Sequence, residues 1–217
     1  MTTRVKICGI NSPDALDAAV DAGADWVGFN FFPPSPRALT PAQAAALSAR
    51  RPGGPARVGL FVDPTDDDVA AVLAALPLDV LQIHGVPSRA AELQARFGVP
   101  AWAVVGIDGI ADLPSAVPGV DGLLLDAKAP PGAVLPGGNA RVFDWSVLHG
   151  WIAPAPWLLA GGLTPGNVAE AVRISGAPAV DVSSGVERSR GVKDTALIRA
   201  FVRNARAATK AISSLGA

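Results

Sequence analysis

Val5-Lys6-Ile7-Cys8-Gly9 is the stretch from which the fold of this chain can be read outward. It is a short apolar run interrupted by one lysine and closed by a cysteine and a glycine. Seven further short runs follow: Trp26 to Phe31, Arg57 to Val62, Val80 to His84, Trp102 to Val105, Leu123 to Asp126, Trp157 to Ala160 and Ala179 to Ser183. Most are nearly continuous hydrophobic stretches, the pattern of parallel strands covered on both faces. Helical patterns fill the gaps. Ser12-Pro13, Thr40-Pro41 and Thr164-Pro165 each place a capping hydroxyl before a proline, which is a helix-start signal. Thr65-Asp66 opens another helix, with Val69, Val72, Leu73 and Leu76 at helical spacing. Gly176 stands where a glycine would end a helix, and Leu197, Phe201 and Ala205 share one face of the last one. The segment after Gly109 is weakly patterned and predicts only a short helix. Eight strands, each followed by a helical or turn-rich segment, predict an α/β fold of the closed (β/α)8 or TIM-barrel type: an eight-stranded parallel barrel with outer helices. A length of 217 residues fits one such domain, spanning 1–217. A doubly wound open sheet is the runner-up, but no glycine-rich phosphate turn follows the first run.

In such a barrel the chemistry lies at the C-terminal ends of the strands. Polar residues collect there: Cys8, Asn30 followed by Ser35-Pro36-Arg37, Gln82 and His84, Asp126, Gly161-Gly162, and Ser183-Ser184-Gly185. Side chains alternate along a strand, so Lys6 shares a face with Cys8, Gln82 with His84, Leu124 with Asp126, and Asp181 with Ser183. An inward Lys6 needs a partner. Asp181 is expected to supply it, because the first and last strands are neighbours in a closed barrel. The field of Lys6 would then favour the Cys8 thiolate. Asp126 ends a run of three leucines, where a carboxylate needs a partner or a task. The two glycine-bearing loops let backbone N–H groups approach an anion, and they fall where this fold holds phosphate. Each residue also has a plainer reading. Cys8 could be a small buried hydrophobe, Asp126 a loop cap, His84 a structural histidine, Arg37 a surface arginine, and the glycines two tight turns.

Composition narrows the classes. Half the residues are hydrophobic, 17% are charged, and the formal net charge is −1 with no basic stripe, so nucleic acid is not expected as a partner. No apolar run approaches the roughly 20 residues of a membrane span. Cys8 is the only cysteine, which excludes an internal disulfide. His84 and His149 stand in no metal-binding motif, so neither metal nor cofactor is expected. The expectation is a cytoplasmic protein acting on a small anionic molecule, a monomer rather than a homodimer.

The chain resembles the phosphoribosylanthranilate isomerase family along essentially its whole length. The resemblance rests on Lys6-Ile7-Cys8-Gly9-Ile10, Gly28 to Arg37, Leu81-Gln82-Ile83-His84-Gly85, Leu125-Asp126-Ala127-Lys128, Pro136-Gly137-Gly138 and Phe143-Asp144-Trp145. It continues through Leu159 to Pro165 and Val180 to Glu187. It implies an Amadori rearrangement of N-(5-phosphoribosyl)anthranilate to its 1-deoxyribulose 5-phosphate isomer in L-tryptophan biosynthesis, without a cofactor. Asp126 would be the general acid and Cys8 the general base. Arg37 would pair with the anthranilate carboxylate, His84 would contact substrate, and Gly161, Gly162, Ser183, Ser184 and Gly185 would hold the phosphate. Two departures from the family pattern stand out: Asn139-Ala140 after Pro136-Gly137-Gly138, and Val86-Pro87-Ser88 after Gly85. Two competing readings are another phosphosugar barrel enzyme and a non-catalytic phosphometabolite-binding protein. The first would need inward histidines, or lysines and glutamates on other strands. The second has no use for both Cys8 and Asp126.

Overall fold

A computed structural model describes residues 2–130, 132, 137 and 141–214, with side chains through residue 208. The eight runs form strands β1 (Arg4–Cys8), β2 (Trp26–Asn30), β3 (Ala56–Val62), β4 (Val80–His84), β5 (Ala101–Ile107), β6 (Gly122–Ala127), β7 (Trp157–Leu159) and β8 (Ala179–Val182). They are parallel and hydrogen-bonded in chain order, and β8 returns to β1, so the barrel closes and the open sheet is excluded. Closure places Lys6 directly beside Asp181 in the β1–β8 register.

The first three helices begin where short polar side chains satisfy free N–H groups. In α1 (Pro13–Asp21) the Ser12 hydroxyl accepts from the N–H of Ala15. Reciprocal capping boxes open α2 (Pro41–Arg50), through Thr40 and Gln43, and α3 (Asp66–Ala75), through Thr65 and Asp68. Helix α4 (Pro87–Phe97) ends on left-handed Gly98, and α5 (Val168–Ser175) on left-handed Gly176. Helix α6 (Thr195–Ser214) buries Phe201 and Ala205 completely, while Leu197 is partly buried at the edge of the same face. The weak pattern after Gly109 becomes one 3-10 turn at Ile110–Asp112, and a second 3-10 turn, Trp145–Leu148, follows β6.

One start signal fails. Thr164-Pro165 does not open α5, which begins at Val168. The Asn167 side chain accepts from the Thr164 N–H at 2.7 Å and donates to the Gly162 carbonyl at 3.0 Å. These bonds hold residues 162–167 in a local turn, the usual competition between a short polar side chain and the helix ladder.

Two apolar regions carry the barrel. The larger lies between strands and helices and includes Ile7, Phe29, Leu81, Leu123 and Phe201. The smaller fills the N-terminal half of the interior with Trp26, Val58, Val80, Trp102, Leu124, Leu158, Ala160 and Ala179. Trp26 and Trp102 meet edge to face with centroids 5.3 Å apart, and the Arg4 guanidinium sits 3.8 Å from the Trp26 ring. At Gly28 on β2 a Cβ would come within 3.1 Å of the Cys8 sulfur and 3.3 Å of the Lys6 ammonium. That glycine therefore makes room for two functional groups of the neighbouring strand.

Candidate active site

The C-terminal ends of the strands enclose about 700 Å³ of space open to solvent. Cys8, Arg37, His84, Asp126, Gly161, Gly162, Ser183, Ser184 and Gly185 all line it. Every site residue expected from the sequence is thus brought to one cavity. The expected inward pairs hold too, with Gln82 beside His84, Leu124 below Asp126, and Asp181 before Ser183.

Beneath the opening, Lys6 is completely buried and donates to Asp181 Oδ1 at 3.0 Å. Burial pushes the Lys6 pKa down, but Asp181 and Cys8 more than offset this and leave it raised. The expected electrostatic effect of Lys6 on Cys8 is present in direction and loses in magnitude. Burial raises the thiol pKa; Lys6 and Lys193 lower it, Asp181 raises it further, and the net shift is upward. The thiol is therefore not a standing thiolate, although Lys6 favours its ionisation as expected from the sequence.

Asp126, near the end of β6, is shifted upward as well. Burial and the nearby Asp181 charge raise its pKa, the Ala127 N–H and Lys6 oppose them, and the result is about 7. Glycines crowd it. A Cβ on Gly161 would lie 3.1 Å from one carboxylate oxygen, and on Gly137 2.6 Å from the other. Gly161 and Gly162 take φ of +86° and +61°, a region that favours glycine. The rest of Pro136-Gly137-Gly138 and Asn139-Ala140 lies outside the described residues.

His84 is buried beside Gln82, with Nε2 to Nε2 3.3 Å apart. Burial and the charge of Lys6 depress its pKa to about 4, so it is a neutral imidazole at physiological pH. Gln82 Oε1 has no hydrogen-bond partner among the described residues.

Arg37 is not a surface arginine. Only 5% exposed, it forms a two-pronged pair with Glu187, Nε to Oε1 at 2.6 Å and Nη2 to Oε2 at 3.0 Å. Gly9, at φ +72°, lets it pass; a Cβ there would sit 2.6 Å from Arg37 Cδ. Glu187 and Lys193 are the residues that reasoning from strand ends missed. They lie in a small hairpin beyond β8, formed by β9 (Glu187–Ser189) and β10 (Val192–Lys193). Lys193 donates to the Ser183 carbonyl at 2.8 Å, to the Ser183 hydroxyl at 3.3 Å and to Glu187 Oε1 at 3.0 Å. The available signal was a charge pair on either side of a glycine turn, directly after the proposed phosphate loop.

Fold and cavity together define the class: a (β/α)8-barrel enzyme with a protonatable carboxyl and a buried thiol beside two glycine-bearing loops. The comparisons with known proteins narrow that class. Residues 5–204 match the family model described as N-(5'phosphoribosyl)anthranilate (PRA) isomerase. The N-(5'-phosphoribosyl)anthranilate isomerase of Granulibacter bethesdensis is 56% identical over 209 residues, covering 94% of this chain and 100% of that one. The crystal structure of phosphoribosyl anthranilate isomerase from Thermotoga maritima superposes with a TM-score of 0.80 at 33% identity, covering 94% of this chain and 99% of that one. A phosphoribosyl anthranilate isomerase solved in complex with reduced 1-(o-carboxyphenylamino)-1-deoxyribulose 5-phosphate gives 0.81 at 32% identity, with the same coverage. The chain belongs to the N-(5'-phosphoribosyl)anthranilate isomerase family.

Proposed function

We propose that this chain, working as one barrel domain, isomerises N-(5-phosphoribosyl)anthranilate to 1-(2-carboxyphenylamino)-1-deoxyribulose 5-phosphate in L-tryptophan biosynthesis, with Asp126 as acid and Cys8 as base. The observation that carries the residue assignment is the Asp126 carboxyl, whose pKa of about 7 leaves it able to hold a proton in a cavity at neutral pH. The acid protonates the ribose ring oxygen. The C1–O bond then breaks, and the anthranilate nitrogen lone pair closes the C1=N bond of a Schiff base. The Cys8 thiolate removes the C2 proton, the C2–H electrons form a C1=C2 bond as the C1=N pair returns to nitrogen, and the resulting enol takes a proton at C1 to become the C2 ketone. Protons are exchanged and no electrons leave the substrate, so acid–base groups suffice.

The remaining residues supply binding. Arg37 keeps guanidinium hydrogens beyond those given to Glu187 and faces the cavity, which suits a carboxylate. Gly161, Gly162, Ser183, Ser184 and Gly185 surround the place for the phosphate. Neutral His84 offers one ring nitrogen as donor or acceptor without bringing a charge.

The test is direct. Substrate generated in situ is followed by the loss of its anthranilate fluorescence on adding the purified protein. Loss far above the uncatalysed rate is the expected result. No loss from folded protein refutes the activity. An active protein whose Cys8→Ala and Asp126→Asn variants both keep full rate refutes the assignment.

A further inference from the structure

Lys193 is a fully buried ammonium that the reaction above does not use. Its side chain is 0% exposed and that of Glu187 only 4%. All three ammonium hydrogens have acceptors: the Ser183 carbonyl, the Ser183 hydroxyl and Glu187 Oε1. Glu187 is equally full. Oε1 accepts from Lys193 and from Arg37 Nε, while Oε2 accepts from Arg37 Nη2 and from the Gly191 N–H at 2.9 Å. A network this complete is rigid, because each lost bond would leave a buried charge short of a partner. Its two ends are not equivalent. One end fixes residue 183 at the start of the loop Ser183-Ser184-Gly185, and the other fixes the fork of Arg37.

We propose that Lys193 is a positioning residue for the isomerisation: through Ser183 and through Glu187–Arg37 it locks the phosphate-binding loop and the carboxylate-binding arginine into one unit, setting the distance between the two anionic ends of the substrate. The inference rests on the binding roles proposed above for Arg37 and for Ser183 to Gly185. A substrate with a phosphate at one end and an aryl carboxylate at the other is held in register only if both anchors are fixed relative to each other. A hairpin of two residue pairs, Ser189 with Val192 and Glu187 with Lys193, reached from β8 through a single 3-10 turn at Ser184–Val186, supplies that link at short range. Charge adds to the geometry. Burial pushes the Glu187 carboxyl up, but Arg37, Lys193 and the Gly191 N–H bring it down to about 2, so it stays ionised and holds both cations throughout the working range.

The experiment compares wild type with Lys193→Gln, Lys193→Met, Lys193→Arg and Glu187→Gln in the fluorescence assay, using inorganic phosphate as competitive inhibitor. Wild type is expected to be inhibited competitively. Lys193→Met and Lys193→Gln are expected to raise both KM and the phosphate inhibition constant by about tenfold, with a smaller change in kcat. Lys193→Arg is expected to recover part of the loss. Glu187→Gln should raise KM by more than it raises the phosphate constant, because Arg37 loses both of its charged acceptors while Lys193 keeps its two acceptors on Ser183. A merely structural lysine would lower the melting temperature and the active fraction without moving either constant. Unchanged constants in any folded neutral Lys193 variant overturn the inference. If neither neutral variant folds, Glu187→Gln decides, and an unchanged KM there overturns it. A wild type that phosphate does not inhibit competitively overturns the loop assignment itself, and the inference with it.

Discussion

The floor and the mouth of this barrel are built on the same parallel strands, nearer their beginnings and nearer their ends, and differ in what faces inward. The floor is apolar, with Trp26 and Trp102 packed edge to face among valines, leucines and alanines. The mouth holds Cys8, His84, Asp126 and Arg37. Between them lies one buried ion pair, Lys6–Asp181. At the floor, burial is favourable and does nothing else. At the mouth, the same burial acts on ionisable groups and becomes chemistry: it holds a proton on Asp126, keeps His84 neutral and raises the Cys8 thiol.

The largest expected effect separates the two regions. Asp126→Asn should lower kcat/KM by about 10²–10⁴-fold, the usual worth of a general acid, with no loss of melting temperature. Trp102→Ala should do the opposite, costing roughly 3–5 kcal/mol of stability through a cavity while leaving kcat per folded molecule near wild type. Chemical denaturation beside the fluorescence assay checks both. If Trp102→Ala changed kcat by more than an order of magnitude in folded protein, the division between floor and mouth would fail. Lys6→Met falls on the boundary and should break the comparison. It strands Asp181 in the interior, at a cost of roughly 3–5 kcal/mol. It also removes a cation that lowers the Cys8 pKa, so activity and stability should fall together.

Much of this division was legible in the sequence. Alternation along β1 and β8 put Lys6 and Asp181 on the inner face, and closure of the barrel made them neighbours, as the register shows. The mouth residues were legible because the C-terminal end of a strand is a defined place in this fold. The hairpin carrying Glu187 and Lys193 was not, because no strand end points to it and its two strands span three and two residues. The start of α5 was misread because the Asn167 side chain competes for the turn, an interaction with no periodic signature. The net direction at Cys8 could not be read either. It is a contest between burial and two lysines, and the sequence shows the charges but not the depth.

A smaller effect concerns stability against pH, and its sign differs between two carboxylates. The folded pKa of Asp126 is raised from 3.8 to about 7, so the native state binds the extra proton. Its contribution therefore falls as pH rises through that interval, and the penalty is complete above pH about 7. Asp126→Asn should melt higher than wild type at alkaline pH, with the gap closing towards pH 4. Glu187 is depressed from 4.5 to about 2, so its contribution is present above the higher value and is lost as pH falls through the lower one. Glu187→Gln should therefore be less stable than wild type near neutrality, with that gap closing in acid. Melting curves across pH check both signs, and an Asp126 whose pKa is not raised by folding would show no gap that opens with rising pH.

The smallest effect is the most diagnostic. With Asp126 as the proposed acid, at a pKa of about 7, and Cys8 as the proposed base, above the ordinary thiol range, the form with Asp126 protonated and Cys8 ionised is a minority state of the free protein. Between the two pKa values its population is flat, because each rise in pH gains thiolate and loses carboxylic acid in equal measure. Below about 7 it falls with decreasing pH, as thiolate is lost while the acid is already fully protonated. kcat/KM should therefore climb with a midpoint near 7 and fall again only above the thiol pKa. A midpoint near 7 would by habit be given to a histidine. Here the histidine of the mouth, His84, is held at about 4, so His84→Gln should lower kcat/KM only a few-fold and leave the midpoint where it is. If the midpoint moved away with His84, the proton would belong to the imidazole, and the assignment of Asp126 as the acid would have to be given up.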